Sequence, residues 1–453
     1  MSGEQAVTDF VCRTELEAFP ETSRAVVKHI VLAVIGSAMA GASEEGCREV
    51  QKYVLESGGK SESSVFFTGA KAPARSAALA NGVVCRALDY CDAMAPGLHM
   101  GSSIVPVALA MAESIGGCSG RDLLAAIAVG AEVGARFNLS EAEYHGFDPT
   151  GVAGVFAATA VACRMRRLPP HQTLHALALA FNRAGGSFQS NVDGSLAVRV
   201  IQGWVAESGV LCAELAAIGI TGPSNFLEGV YGYRRLFAGD AKDDRFTREL
   251  GRDFRLDRTV FKQFPSCGLT QGITQLTVEA VQKHGVGADQ MKSIVVRVPP
   301  YAHKLVGHPF VIGENPRVNA QFSIQFCVAN ALLHGSSELN HFTPEAVGRE
   351  AIMKLASVVE AKADPTLDAR GHTAVDLDIT TGSGELLSLK LDHPDGFPDS
   401  PLSATAHMRR FEDCVRYSKV KNAQVRGQAI AKMIENLEDV ADARQLVNLL
   451  TTN

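Results

Sequence analysis

Apolar segments with a helical repeat fill the first half of this chain and constrain its fold more than any other feature. They run over residues 26–40, 74–88, 104–115, 123–139, 152–167, 173–185 and 198–215. Apolar residues that recur every three to four positions form one face of an α-helix. Glycine and proline fall mainly between these segments, where helices end. The pattern therefore predicts an all-helical region that extends to about residue 235.

The pattern changes after about Leu256. Residues 292–298 alternate as a strand does, and residues 374–380 with 386–391 predict a hairpin. The tail from residue 404 to 450 is helical again, and a chain that ends as it begins often packs back on its first domain. We predict a mainly α protein with a smaller α+β domain. The helical domain takes residues 1–256 and 402–453, and the inserted α+β lid domain takes residues 257–401.

Length and charge narrow the function. A chain of 453 residues exceeds the size at which a single core stops growing, which favours two domains. A net charge of −6 gives no basic surface for nucleic acid or an anionic membrane, so small molecules are the expected partners. The acidic N-terminus does not resemble a signal peptide, and the apolar run 123–131 is too short to span a membrane. We expect a cytoplasmic protein.

The motifs of several cofactor and metal sites are missing from the sequence. Ten cysteines are dispersed without a Cys-x-x-Cys pair, which indicates reduced thiols rather than a zinc site or disulfides. Neither a complete phosphate loop, nor a dinucleotide-binding fingerprint, nor a serine-hydrolase elbow is present. His171 and His175 have a spacing compatible with a metal, but a pair on a helix surface is the better interpretation. We predict chemistry without cofactor or metal.

Polar residues with catalytic potential stand between two apolar segments, from Asn81 to Glu113. Asp89, Asp92 and His99 interrupt the apolar pattern there. An unpaired buried charge is costly, so these groups must meet one another or a ligand. This region is the first candidate for a site.

A family resemblance rests on motifs that span nearly the whole chain. They are Asn81-Gly82, residues 87–92 (ALDYCD), His99, 106–110 (PVALA), 146–151 (GFDPTG), 203–206 (GWVA), 221–223 with 227–229, 261–267 (FKQFPSC), 321–323 (QFS) and 399–403 (DSPLS). They resemble the MmgE/PrpD family, whose members include 2-methylcitrate dehydratases, cis-aconitate decarboxylases and iminodisuccinate epimerase. The resemblance implies a helical domain built from both chain ends, a smaller lid, a homodimer and a site at the domain interface. It also implies cofactor-free chemistry at a carbon next to a carboxylate.

The departures from the family pattern affect the expected reaction. Groups that relatives use are replaced by Arg86, Cys91, Ala93, Asp148, Val198, Gln271 and Phe326. A dehydratase needs an acid for its leaving group, whereas an epimerase needs one base and one acid on opposite faces of a carbon. The pattern is therefore most similar to iminodisuccinate epimerase, which implies two-base proton transfer at the α-carbon of an amino or imino polycarboxylate. The alternatives are a 2-methylcitrate dehydratase-like hydro-lyase, a cis-aconitate decarboxylase-like lyase, and a non-catalytic polycarboxylate-binding protein.

The resemblance also assigns candidate site residues. Tyr144 and Lys262 are the expected proton-transfer residues, and the other catalytic candidates are His99 and Cys267. The expected substrate-binding residues are Arg86, Asp89, His145 and Arg199, with no metal ligand among them.

Each assignment has a structural alternative. Lys262 could be a solvated lysine on a loop, and Cys267 a small packed residue. His99 could cap the helix that begins near Ser102, and Tyr144 with His145 could be a surface pair. Asp89 could orient His99 rather than touch substrate, and each arginine could be the buried partner of Asp89 or Asp92.

Overall fold

The computed structural model describes residues 2–140, 143–238 and 244–451. The chain divides into two compact units. The first, here called the helical unit, takes residues 1–191, 196–260 and 414–453; the second, the α+β unit, takes residues 192–195 and 261–413. The sequence pattern predicted domain boundaries close to these, between residues 256 and 257 and between residues 401 and 402.

The helical unit is built from both ends of the chain. Its helices are α1 (Gly3–Arg13), α2 (Glu21–Gly41), α3 (Cys47–Glu56), α4 (Ala74–Arg86), α5 (Gly101–Ser114), α6 (Gly120–Phe137), α7 (Val155–Met165), α8 (Pro170–Phe181), α9 (Gln189–Val192), α10 (Ala197–Ala217), α11 (Tyr233–Phe237), α19 (Ala423–Glu435) and α20 (Arg444–Leu449). Two short strands, β1 (Ser63–Ser64) and β2 (Lys71–Ala72), pair with each other. Two more short strands, β3 (Asp92–Ala93) and β4 (Val260–Phe261), form another two-stranded sheet.

Local signals in the sequence start and pack these helices. Ser119 and Asp122 form a capping box at the start of α6, which satisfies two backbone N–H groups that would otherwise lack partners. Gly82 of α4 lies against Gly203 of α10, and neither position has room for a side chain. A Cβ at Gly203 would lie 2.6 Å from the carbonyl oxygen of Leu79 in α4. Small residues therefore bring α4 and α10 into close contact.

Helix α2 is long and apolar enough to cross a membrane by length and composition. It spans Glu21–Gly41 and is therefore longer than the apolar segment 26–40 that the sequence pattern predicted. Most of its apolar residues are buried inside the helical unit. This burial matches the central helix of a globular core, so the helix is weak evidence for a membrane span.

The α+β unit contains a four-stranded sheet in the order β6-β5-β7-β8. Its elements are α12 (Gln271–His284), β5 (Met291–Val298), α13 (Pro300–Val306), α14 (Pro316–Gln321), α15 (Ile324–His334), α16 (Pro344–Val347), α17 (Glu350–Ala356), β6 (Val359–Ala363), β7 (Val375–Thr381) and β8 (Leu386–Leu391), and α18 (Ala404–Tyr417) leads out of it. Strand β5 runs parallel to β6 and antiparallel to β7. Apolar residues of β5 and β7 pack with those of α12 and α15 to form its core.

The predicted fold class is confirmed: the chain is mostly helical with a small sheet region. The predicted hairpin is β7 and β8, which pair antiparallel from Val375 opposite Leu391 to Thr380 opposite Leu386. Strand β6 was not predicted. It is short and carries Glu360 and Lys362 among small residues, so its sequence gives little apolar signal.

Candidate active site

The first candidate group forms where helix α4 ends in the helical unit. Arg86 is the last residue of α4, and Asp89 follows in the turn with φ of +53°. Aspartate is one of the few residues other than glycine that adopt this left-handed conformation with modest strain. The guanidinium of Arg86 donates a hydrogen bond to the Asp89 carboxylate, and both side chains are buried. This contact is the one that the buried-partner alternative describes, and the role of Arg86 in substrate binding stays a prediction.

The imidazole of His99 faces the same carboxylate. Nε2 of His99 lies 3.8 Å from Oδ1 of Asp89, and the side chain of His99 is 13% exposed. Nδ1 lies 2.8 Å from the carbonyl oxygen of Asp92. Because a carbonyl oxygen can only accept, Nδ1 carries the hydrogen in this contact. In the neutral ring Nε2 is then the basic atom, and it points toward Asp89.

Asp92 holds the start of helix α5. Its Oδ2 accepts a hydrogen bond of 2.9 Å from the backbone N–H of Gly101, the first residue of that helix. A Cβ at Gly101 would lie 2.2 Å from Oδ1 of Asp92, so only glycine fits this contact. Asp92 thus supplies a side-chain cap at the start of α5, the role that the structural alternative gave to His99.

Asp148 and Thr150 approach from another segment of the helical unit. Oδ1 of Asp148 accepts hydrogen bonds from the backbone N–H groups of Thr150 (2.8 Å) and Gly151 (3.4 Å). Oγ1 of Thr150 accepts one of 3.0 Å from the backbone N–H of His99. Thr150 opens a π-helical turn that ends at Gly154, a local irregularity frequent at functional sites. Sequence reasoning missed Thr150, although Asp-Pro-Thr is a typical start of a turn or helix.

A single guanidinium serves two buried carboxylates in this group. Burial raises the pKa of Asp148, and the hydrogen bonds from Thr150 and Gly151 and the charge of Arg86 offset part of that rise. Burial by itself would lower the pKa of Arg86, but the charges of Asp89, Cys91 and Asp148 raise it. Arg86 and Asp148 stand where the family resemblance implies histidines, and here the charge of each acts on the other.

A thiol completes the group. Sγ of Cys91 lies 3.8 Å from Nδ1 of His99 and donates to the carbonyl oxygen of Asp92 at 3.4 Å. Cys91 is buried. Arg86, Asp89, Cys91, Asp92, His99, Asp148 and Thr150 are called the histidine cluster below.

The other candidates of the helical unit lie around this cluster or apart from it. The ring of Tyr144 packs edge-on against Phe188 at 5.8 Å. Phe188 in turn lies against Gly97, two residues before His99, since a Cβ there would be 3.5 Å from its ring. His145 is exposed. Arg199 is buried and donates to the carbonyl oxygen of Glu45, in the turn before α3.

The α+β unit holds Lys262 and Cys267 on one ordered loop. Lys262 is only 2% exposed, which contradicts the alternative of a solvated lysine. The side-chain amide of Gln271 accepts from the backbone N–H of Phe264 and donates to the carbonyl oxygens of Phe264 and Ser266. Gln271, at a position where the resemblance implies a histidine, therefore fixes this loop, a positioning role that sequence reasoning missed.

Cys267 lies at the end of the same loop. It caps the short 3₁₀ turn before α12, and its backbone N–H donates to the carbonyl oxygen of Gln321 at 2.9 Å. The side chain of Gln321 returns a hydrogen bond of 3.0 Å to the carbonyl oxygen of Pro265. Cys267 is partly buried and packs against the core of the α+β unit, so its packed-residue alternative and its catalytic role both stay open.

Within residues 2–140, 143–238 and 244–451, His, Cys, Asp and Glu do not assemble in groups of three or more that could hold a metal ion. Within the described residues, none of the ten cysteines forms a disulfide.

Comparison with known proteins gives both a family and named relatives. Residues 5–245 match the model of the MmgE/PrpD N-terminal domain, and residues 264–439 match that of the MmgE/PrpD C-terminal domain. A human cis-aconitate decarboxylase is 26% identical over 440 residues, which cover 93% of this chain and 89% of the relative. The mouse protein of the same name gives 26% over 441 residues, with coverage of 93% and 88%. A cis-aconitate decarboxylase-like protein, oryM of Aspergillus oryzae, gives 25% over 486 residues, with coverage of 99% and 98%.

Proposed function

This chain belongs to the MmgE/PrpD family, and from that premise we propose that it is a cofactor-independent lyase that decarboxylates a small unsaturated tricarboxylate of the cis-aconitate type. The relatives are named for that reaction. The observation that carries the proposal is the single imidazole of His99, set beside a buried carboxylate in the histidine cluster.

The proposed reaction needs one proton donor. When the C–C bond to the departing carboxylate breaks, its electron pair forms a new double bond and CO₂ leaves. The existing double bond shifts its electrons to the carbon next to a second carboxylate, and that carbon takes one proton. No hydroxyl leaves, so no second acid is required, unlike in a dehydration.

His99 is the proposed donor. Its Nδ1–H is fixed by the carbonyl oxygen of Asp92, which sets the orientation of the ring and turns Nε2 toward the carboxylate of Asp89. The distance of 3.8 Å exceeds hydrogen-bond length, so Asp89 acts through its charge in this geometry. That charge stabilises the imidazolium before it gives its proton to carbon, and solvent restores the proton after each turnover.

Arg86 has a positioning role in this proposal. Its charge is committed to Asp89 and Asp148, so it holds Asp89 in place rather than serving as a free clamp for substrate carboxylates. Carboxylate binding is assigned to Arg199, as the family resemblance predicts, and to Lys262, for which the resemblance predicted proton transfer instead. The catalytic roles of Tyr144 and Cys267 and the substrate-binding role of His145 also stay predictions from the family resemblance.

Incubation of the purified protein with cis-aconitate in D₂O tests the proposal. The expected result is release of CO₂ and a methylene-substituted succinate with one deuterium on the carbon that gained the proton. Parallel reactions with 2-methylcitrate and with one stereoisomer of iminodisuccinate distinguish the alternatives. Dehydration of 2-methylcitrate, or loss of optical rotation of iminodisuccinate with deuterium uptake, in the absence of CO₂ release would overturn it.

Epimerisation of an amino or imino polycarboxylate is the second candidate. The departure that favours it is the replacement, as the resemblance implies, of two family histidines by Arg86 and Asp148, whose charges act on each other. An epimerase would use His99 for one face of the α-carbon and a second group, Lys262 or Tyr144, for the other. A cytoplasmic location accompanies either activity as a prediction.

A further inference from the structure

Two imidazoles stack on each other in the α+β unit. His334 is the last residue of α15, and His341 lies in the 3₁₀ turn Leu339–Phe342 that follows it. Their ring centroids are 4.1 Å apart, and the ring planes are inclined by 23°. Two positive charges at that distance repel each other, so the stack favours neutral rings.

Hydrogen bonding also requires His341 to be neutral. Its Nδ1 accepts a hydrogen bond of 3.3 Å from the backbone N–H of Glu338, and the side chain of Glu338 accepts one from the backbone N–H of His341. This reciprocal pair is a capping box with histidine in the place usually taken by glutamate or glutamine. Once protonated, Nδ1 carries a hydrogen and can no longer accept. Protonation of His341 therefore breaks one half of the cap at the start of this turn.

The surroundings of both rings oppose protonation. Burial, together with the charges of His334 and Arg349, lowers the pKa of His341 from its ordinary value of 6.5 to about 4. Burial and the charge of Arg349 also lower the pKa of His334. As pH falls from 6.5 toward 4, an opened segment takes up protons before the folded one does. Opening of the segment that carries these rings therefore becomes more favourable over that interval.

Other charged groups stand on the elements packed against α15 and the turn. They include Lys283 and His284 at the end of α12, Arg317 of α14, Glu345 of α16, Glu350 of α17 and Asp413 of α18. Oδ2 of Asp413 accepts a hydrogen bond of 3.2 Å from the backbone N–H of Leu339, which fixes the first residue of the turn. Arg349, directly before α17, acts on both imidazoles. Protonation therefore adds positive charge beside an existing guanidinium.

The turn shares a buried core with α14. The ring of Phe342, next to His341 in the chain, lies 5.2 Å from that of Phe326 in α15. Both rings belong to a buried cluster that includes Ala320 of α14. A turn that opens at His341 would therefore remove Phe342 from the packing of α14.

Helix α14 in turn holds the loop that carries Lys262. Its last residue, Gln321, accepts a hydrogen bond of 2.9 Å from the backbone N–H of Cys267 through its carbonyl oxygen. The side chain of Gln321 donates to the carbonyl oxygen of Pro265 at 3.0 Å. The end of α14 thus ties down two points of the loop, one on each side of Ser266.

We propose that the stacked imidazoles of His334 and His341 form an acid-sensitive switch that keeps the Lys262 loop in place while both rings are neutral. Protonation separates the rings and breaks the capping box, and the segment 335–349 opens. The loop 262–267 then loses the support of α14. The switch belongs to the α+β unit and is independent of the reaction proposed above.

Hydrogen exchange of the full-length protein at pH 7 and at pH 5, corrected for the intrinsic effect of pH on exchange, tests the switch. Exchange in peptides that cover 335–349 and 262–271 is expected to rise about tenfold at pH 5, because that pH lies between the open and folded pKa values of His341. His341→Gln retains an acceptor for the capping box and cannot be protonated, so it is expected to remove the rise. His284→Gln, at an exposed position of α12, is the matched control and is expected to keep it.

Equal corrected exchange of 335–349 at the two pH values overturns the proposal, as does a wild-type rise that persists in His341→Gln. A rise in 335–349 without one in 262–271 also refutes it, because the switch would not reach the loop. A rise of the same size in peptides of α6, in the helical unit, would indicate general unfolding and has the same consequence. If His341→Gln fails to fold, the exposed His334→Gln replaces it. That variant is expected to reduce the rise, and an unchanged rise contradicts the proposal.

Discussion

Nε2 of His99 lies 3.8 Å from Oδ1 of Asp89, and the same carboxylate accepts a hydrogen bond from Arg86. The three groups alternate in charge when His99 is protonated. Asp89 is buried, so its interactions with both cations are weakly screened by solvent. This arrangement makes His99 the residue whose removal should affect chemistry most.

His99→Gln is expected to lower kcat by about 10²- to 10⁴-fold, the usual contribution of a general acid. Glutamine retains a polar group of similar size but cannot deliver a proton. Turnover of cis-aconitate, or of whichever test substrate reacts, measures the effect, and a circular dichroism melt checks the fold. His171→Gln, on the surface of α8, is the control. A kcat within threefold of wild type in His99→Gln would remove His99 from the proposed mechanism.

Arg86→Met is expected to destabilise the protein by about 3–5 kcal/mol, the typical cost of breaking a buried ion pair. The substitution leaves the carboxylates of Asp89 and Asp148 without their counter-charge. Urea unfolding measures the loss. Addition of Asp89→Asn to this variant should restore part of the stability, and the exposed Arg75→Met should change it by less than about 0.5 kcal/mol. A fully stable Arg86→Met would show that the pair is not the main partner of these carboxylates.

The fold could be read largely from periodicity. The helical segments of the first half and the β7–β8 hairpin have strong repeats because one face of each is buried against a core. Strand β6 was not predicted from the sequence, because Glu360 and Lys362 interrupt its short apolar pattern. Its parallel pairing with β5 also depends on residues more than sixty positions apart. Such non-local pairing leaves no trace in a local window.

The site could be read only in part. The expectation that Asp89 meets a charged neighbour followed from the cost of burying a carboxylate, and its spacing of three residues from Arg86 supports that contact. The coupling of Arg86 with Asp148 joins segments 62 residues apart, and it arises from helix packing. The role of Gln271 in holding the Lys262 loop likewise depends on its position at the start of α12.

Lys262→Met is expected to abolish turnover while the α+β unit keeps its fold. The side chain is almost fully buried on a loop fixed by Gln271, so its charge is present for a purpose other than solubility. Turnover and the melting temperature are measured together. Lys283→Met, an exposed position on α12 paired with Glu279, is the control. Near wild-type turnover in Lys262→Met, with Lys283→Met unchanged, would refute the predicted role of Lys262.

Asp148→Asn is expected to stabilise the protein at pH 7. Burial raises the pKa of Asp148 above its ordinary value of 3.8, so the native state binds the proton more tightly than the unfolded state does. The free energy of unfolding therefore falls as pH rises from 3.8 through the raised pKa. Above that interval the full destabilisation by the buried, ionised carboxylate of Asp148 is present. Asparagine does not ionise, so it avoids this cost, and its amide oxygen can still accept the hydrogen bonds from the backbone N–H groups of Thr150 and Gly151.

Urea unfolding of wild type and Asp148→Asn across a pH series tests this linkage. The stability advantage of the variant should be largest at pH 7 and should shrink as pH falls toward 3.8, because the wild-type carboxyl then becomes neutral as well. The exposed Asp368→Asn should differ from wild type by less than about 0.5 kcal/mol throughout. An Asp148→Asn variant that is less stable than wild type at pH 7 would mean that attraction to Arg86 outweighs burial. The carboxylate of Asp148 would then be a stabilising part of the histidine cluster.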